Sequence, residues 1–248
     1  MKRVAVSLVA VVLAGSLAWA GEAVGVNVDV GVDVGTQQVK MFEASGGSAA
    51  DYSTVVFQPY VQVGKFDEGL SGGGRIRGLF TSDKDTDSDA FGDVTASLSG
   101  WDIGGAIGWG FKVNDKVMVT PLLGLTYRSF SVELSDGGSV NVDTTMLTVD
   151  LGARLQAKLN DQLDFLGLLT ISPIVSGEQE VDVADETNDI TSGYVLELRA
   201  GAAYHLNPKC DLGAAVVYEL LSEKVDWDPS TEDTLSKIAL QLGATFKF

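Results

Sequence analysis

Apolar and polar residues alternate along most of this chain with a period of two. The final stretch shows it cleanly. Ile238, Leu240, Leu242, Ala244, Phe246 and Phe248 share one parity, and Lys237, Ala239, Gln241, Gly243, Thr245 and Lys247 share the other. Successive side chains of a strand point to opposite faces, so the pattern predicts a β-strand with one oily face. Near the start, Val24, Val26, Val28, Val30, Val32 and Val34 alternate with Gly25, Asn27, Asp29, Gly31 and Asp33. Ten such segments are predicted: Val24 to Met41, Tyr52 to Phe66, Gly74 to Phe80, Ala96 to Val113, Val117 to Val132, Val140 to Leu159, Leu163 to Ile174, Thr191 to Leu206, Leu212 to Leu221 and Ser236 to Phe248. An eight-stranded alternative leaves Val56 to Phe80 irregular.

The segments group as hairpins. Tight-turn signals at Asn114-Asp115, Asn160-Asp161 and Asn207-Pro208 lie 46 and 47 residues apart. Longer polar stretches fall midway: Glu43 to Asp51, Thr81 to Asp93, Leu134 to Ser139, Ser176 to Asp189 and Ser222 to Thr234. Only two strands fit each interval, whereas a propeller blade needs four. Hairpins tight at one end and loose at the other are the mark of a transmembrane barrel, whose turns are short and whose external loops are long. An even count lets both termini sit at the tight end. Pro59, Pro121 and Pro173 fall inside predicted strands. A closed barrel has no edge to tolerate a missing N–H, so bulges or displaced strand ends are expected there.

The N-terminus adds a compartment. Lys2 and Arg3 precede an apolar run from Val4 to Leu17, and Ala18-Trp19-Ala20 supplies small residues where a signal peptidase reads. Residues 1–20 are expected to be a cleaved secretory signal and residues 21–248 a single barrel domain. The mature chain would carry 15 basic against 34 acidic residues. That excess speaks against nucleic acid and against a basic membrane-surface patch. No mature segment approaches 18 consecutive apolar residues, so a membrane could be crossed only by strands. Cys210, the single cysteine, has no internal partner and reads as a small turn residue.

The two faces differ in kind. The apolar one carries aromatics at both ends: Trp101, Trp109 and Phe111 in the fourth segment, Tyr194 and Tyr204 in the eighth, with Tyr127 and Tyr218 at the loop end of their segments. Ten residues at ~3.3 Å, tilted about 40°, span roughly 25 Å, the height of a lipid-facing band. Two such belts mark the membrane interfaces. The ending Gln241-x-Gly243-x-x-Phe246-x-Phe248 looks like the C-terminal insertion signal of outer-membrane barrels. The chain thus resembles the small outer-membrane β-barrel superfamily of outer-membrane protein A and the opacity proteins. The resemblance implies an all-β, antiparallel, up-and-down barrel in the outer membrane of a diderm bacterium. It also implies contact with outer-membrane lipid and lipopolysaccharide, and a passing encounter with the barrel-assembly machinery.

Candidate chemistry is sparse. Arg128, Asp150, Arg154, Glu197, Arg199, Glu219 and Lys237 lie on the inward parity. Folding about Pro208 sets Glu197 opposite Glu219; two facing carboxylates repel unless a cation intervenes, and Arg199 and Lys237 are the expected cations. A salt-bridged lumen is the expectation, with a narrow conducting pore as the alternative. Asp83, Asp85, Asp87 and Asp89 alternate in an expected loop. They lack the Gly and Glu of an EF-hand, which leaves a solvated acidic loop or, failing that, a weak divalent-cation site. His205, the only histidine, is placed near the tight turn, the wrong end for the outer-rim hydrolysis of omptin-type barrel proteases. No cofactor motif is present. The expected role is a non-enzymatic structural or surface-exposed barrel.

Overall fold

The computed structural model describes residues 25–42, 48–88, 92–135, 139–182, 186–226 and 232–248. The expected signal lies outside them, as does Asp89. The strands are β1 (Asn27–Phe42), β2 (Ser48–Lys65), β3 (Gly69–Thr81), β4 (Lys84–Ser88), β5 (Gly92–Asn114), β6 (Val117–Ser135), β7 (Ser139–Lys158), β8 (Leu163–Val181), β9 (Glu186–Asn207), β10 (Cys210–Val225) and β11 (Asp233–Lys247). Chain neighbours pair antiparallel except β3 and β4, which both pair β5, and β11 returns to β1. The result is a closed ten-stranded barrel with β4 as an extra short strand. β3 meets the lower part of β5 and β4 the upper part, so the two are one barrel stave broken at Ser82–Asp83. The eight-stranded alternative is excluded, because 69–81 form a full stave. At the seam, the Gly25 N–H donates to the Phe248 carbonyl and the Phe248 N–H to that of Val26.

The strands run further than expected, and the external loops are correspondingly shorter. β8 and β9 take up most of 176–189, and the 81–93 segment contains β4. Alternating Asp83, Asp85 and Asp87 therefore belong to a strand and its entry, not to a loop. Such polar strands carry no hydrophobic period and so read as loops.

The prolines corrected one expectation. Pro59 and Pro121 cause no bulge: the β2–β3 and β5–β6 ladders skip two residue pairs beside them and resume in the same register. Of the three prolines only Pro173 lies near a register shift, at Val175 in β8.

Val34, Ile76, Trp101, Ile107, Leu198 and Leu240 are exposed on the outer wall. Asp33, Arg77, Asp102, Glu197 and Lys237 are buried within. Sidedness reverses towards the loop end. There Val39, Leu98, Val132, Met146, Val195 and Leu235 form a buried apolar cluster inside the barrel. Outward positions at that level are polar: Thr95, Ser97, Ser99, Ser131, Glu133 and Asp143. β9 has 22 residues. Its lipid-facing part, from Tyr194 to Tyr204, spans roughly 25 Å, and 186–193 rise roughly 20 Å more. Above the lipid band the wall faces water, and the barrel closes over an ordinary hydrophobic core.

Candidate functional site: the layered lumen

Beneath the apolar plug, at mid-height, lies an ion cluster. β9 and β10 register Glu197 directly against Glu219. Arg199 Nη2 donates to Glu197 Oε1 at 2.7 Å. Arg75 Nη1 approaches both Glu197 oxygens at 3.4 Å. Glu219 Oε2 takes Arg77 Nη2 at 2.8 Å, and Glu219 Oε1 lies 3.6 Å from Arg128 Nη1. Arg77 Nε donates to Asp102 Oδ2 at 2.6 Å, and Arg128 Nη1 lies 3.6 Å from that oxygen. Lys237 turns elsewhere. It lies 3.5 Å from Asp33 Oδ2 and donates to Gln58. Gln241 Nε2 donates to Asp33 Oδ1 at 2.9 Å.

The structure thus brings together Arg128, Glu197, Arg199 and Glu219 and corrects one pairing. The cation beside Glu219 is Arg77, and Lys237 belongs to Asp33. A lysine stem is flexible enough to reach the carboxylate left unpaired, and two arginines, Arg77 and Arg128, already flank Glu219. Asp150 stands apart, accepting from Thr126 at 2.6 Å and Thr148 at 3.0 Å. Arg154 also stands apart, stacked over the Phe66 ring. Arg75, Arg77, Asp102 and Asp33 went unforeseen. Period-two parity alone could have found Asp33 and Asp102, since both fall on the inward set of their strands.

Towards the tight turns the lumen opens. His205 Nδ1 faces Asp211 Oδ1 at 2.9 Å, and Nε2 lies 3.5 Å from Asp164 Oδ1. Gln156 donates to Asp164 at 2.9 Å and Lys247 pairs with Asp211 at 2.8 Å. Carboxylates engage both ring nitrogens, far from the outer rim. Cys210 is a free thiol, the first residue of β10 just after the adjoining turn.

On the outer wall, Trp101 packs against Tyr127, ring centroids 5.4 Å apart, and covers it. Tyr194 and Tyr218 lie at the same end of the band; Trp109, Phe111 and Tyr204 lie at the other, on the outward parity. In the C-terminal motif, Gln241 and Gly243 face inward, while Phe246 and Phe248 face out. A Cβ on Gly243 or on Gly31 would lie 2.6 Å from the Tyr60 hydroxyl, so both glycines make room for that ring. Asp83 and Asp85 are exposed, and Asp85 accepts from Thr95 at 3.0 Å. Among the described residues, no three His, Cys, Asp or Glu side chains converge to hold a metal.

A closed barrel, oily outside and ionic within, satisfies every strand hydrogen bond in lipid as only such a form can. It defines a transmembrane β-barrel protein. The chain belongs to the outer membrane protein beta-barrel domain family, whose model matches residues 6–174, and it is a protein of the bacterial outer membrane. Among solved structures it is similar to the outer membrane protease OmpT from Escherichia coli, with 8% identity, TM-score 0.59, and coverage of 90% of this chain and 97% of that one. It also matches the Neisserial surface protein A, with 16% identity, 90% and 97% coverage and a TM-score of 0.39. The attachment invasion locus protein Ail of Yersinia pestis matches with 13% identity, 91% and 100% coverage and a TM-score of 0.36. No curated protein matches in sequence. At these identities the likeness to OmpT speaks for the fold alone.

Proposed function

We propose that this protein is a non-enzymatic, non-conducting barrel that displays its acidic rim outside the cell. One observation carries this reading: the lumen is filled at two successive levels, by the ion cluster and by the apolar plug above it. Water or ions would have to displace both. The ion pairs are short and buried, and an apolar constriction resists wetting. Exposed Asp83, Asp85, Glu133, Asp143 and Asp189 give the rim its negative charge. A rim of that sign suits contact with lipopolysaccharide through bridging divalent cations. Export through a cleaved signal at 1–20 and insertion by the barrel-assembly machinery belong to the same proposal.

Planar-bilayer recording tests it. The refolded full barrel is expected to leave the bilayer silent at voltages up to the limit of membrane stability. Reproducible unitary conductance would overturn the non-conducting reading in favour of a narrow pore.

A further inference from the structure

Below the ion cluster the lumen is hollow. The chamber measures about 480 Å³ and opens at the tight-turn end, where Asp67, Glu68, Asn114, Asp115 and Pro208 frame its mouth. Small-molecule sites typically occupy about 300–1,000 Å³, so the volume suits a small guest. Its floor is closed by Arg75, Glu197 and Arg199.

The charged groups inside this chamber are almost all matched. Asp150 has Thr126 and Thr148. Asp164 has Gln156 and His205, and Asp211 has Lys247 and His205. Asp29 stands opposite Thr245 in the β1–β11 ladder. Arg75, Arg128 and Arg199 are each within ion-pair distance of a carboxylate. Arg154 is the exception among the cations, and Asp67, at the mouth, among the acids. Among the described residues the Arg154 guanidinium has no ion pair and no hydrogen bond, and Asp29 and Asp67 act on it only from beyond ion-pair distance. What holds it is the Phe66 ring, 4.3 Å from Cζ to centroid.

Stacking on an aromatic fixes the plane of a guanidinium while leaving its five N–H donors at the edge. Those donors match two oxygens of a carboxylate or phosphate in a fork. Tyr60, packed on Gly31 and Gly243 in the same chamber, offers a hydroxyl that also lacks a partner among the described residues. We propose that this blind chamber is a binding site for a small solute bearing a carboxylate or phosphate, entering from the periplasmic mouth, with Arg154 as its anchor. The site is independent of whether the barrel conducts, because it ends below the cluster.

The test uses the full barrel refolded in detergent micelles with ¹⁵N-labelled arginine. The Nε–Hε signal of Arg154, assigned by its loss in Arg154→Gln, is followed during titration with inorganic phosphate and, separately, with acetate, at constant ionic strength held with chloride. The expected result is a saturable shift of the Arg154 signal with at least one of the two, while the Arg77 signal, outside the chamber, stays fixed. Which anion saturates assigns the guest as a phosphate or a carboxylate. Phe66→Leu keeps the guanidinium and removes the stack. It is expected to weaken binding several-fold, and it decides the matter should Arg154→Gln fail to fold. Isothermal titration of Arg154→Gln, folded by heat-modifiable mobility, is expected to show binding about tenfold weaker or worse, the loss that goes with one charge-assisted pair. Shifts that rise linearly with both anions, or titrations unchanged in both variants, would overturn the proposal.

Discussion

Replacing Arg77 by methionine isolates what the ion cluster contributes. Arg77 is only 3% exposed. It reaches Asp102 at 2.6 Å and Glu219 at 2.8 Å. At an effective dielectric of about 20, each contact is worth roughly 6 kcal/mol of gross attraction. Desolvation of the guanidinium offsets most of that. Methionine fills much of the same volume, so the loss comes chiefly from two carboxylates left short of a cation. Their remaining neighbours are more distant: Arg128 at 3.6 Å from each, and Arg75 at 3.8 Å from Asp102. Breaking a buried pair from one side typically costs about 3–5 kcal/mol, and the residual help from Arg128 sets the expectation near the lower bound, about 3 kcal/mol. Arg77→Met/Glu219→Gln removes one charge of each sign and leaves Asp102 with Arg128 and Arg75. It is expected to recover about half of the loss. Equilibrium urea unfolding in lipid vesicles, read by the fluorescence of lipid-facing Trp101 and Trp109, measures both. A loss under about 1 kcal/mol for Arg77→Met, or a double variant no more stable than the single one, refutes the reasoning.

Glu223 sits in the outer part of β10, above the lipid band, where burial first and nearby Asp233 second push its carboxyl from the ordinary 4.5 up to about 8. The folded protein holds this proton over a range in which the unfolded chain has released it. Stability is therefore expected to fall as pH rises from about 4.5 to about 8 and to level off above, and Glu223→Gln should flatten that slope in urea titrations across pH. Gly31→Ala crowds the Tyr60 ring and the facing strand; a loss of about 1–3 kcal/mol is expected from the same unfolding assay, and a neutral result would show that the ring can move aside.

Most of the barrel wall was legible in the sequence, because lipid enforces a strict alternation on every residue it touches. The valines of β1 and the leucines of β11 could face nowhere else. The polar upper strands were not legible. Glu178 to Asp189 lack an apolar face, and nothing in composition separates a water-exposed strand from a loop. Arg75 and Arg77 were obscured by the glycine run before them, which weakens any period-two reading of β3. The apolar plug was hidden for a subtler reason. Leu98, Val132 and Leu235 sit on the inward parity, where polar residues were expected, and only pairing across ten strands reveals that they meet. The facing of Glu197 and Glu219 was readable from turn position alone, whereas the choice between Arg77 and Lys237 depended on three-dimensional reach.

The crossover of oily surface from outer to inner wall frees the exterior of the rim. Residues such as Ser97, Ser131, Glu133 and Asp143 touch neither membrane nor plug. Substitutions there can change what the rim presents to water, while insertion and folding depend on side chains facing the other way. The chemistry of the rim's exterior is thereby uncoupled from the forces that keep the barrel in place.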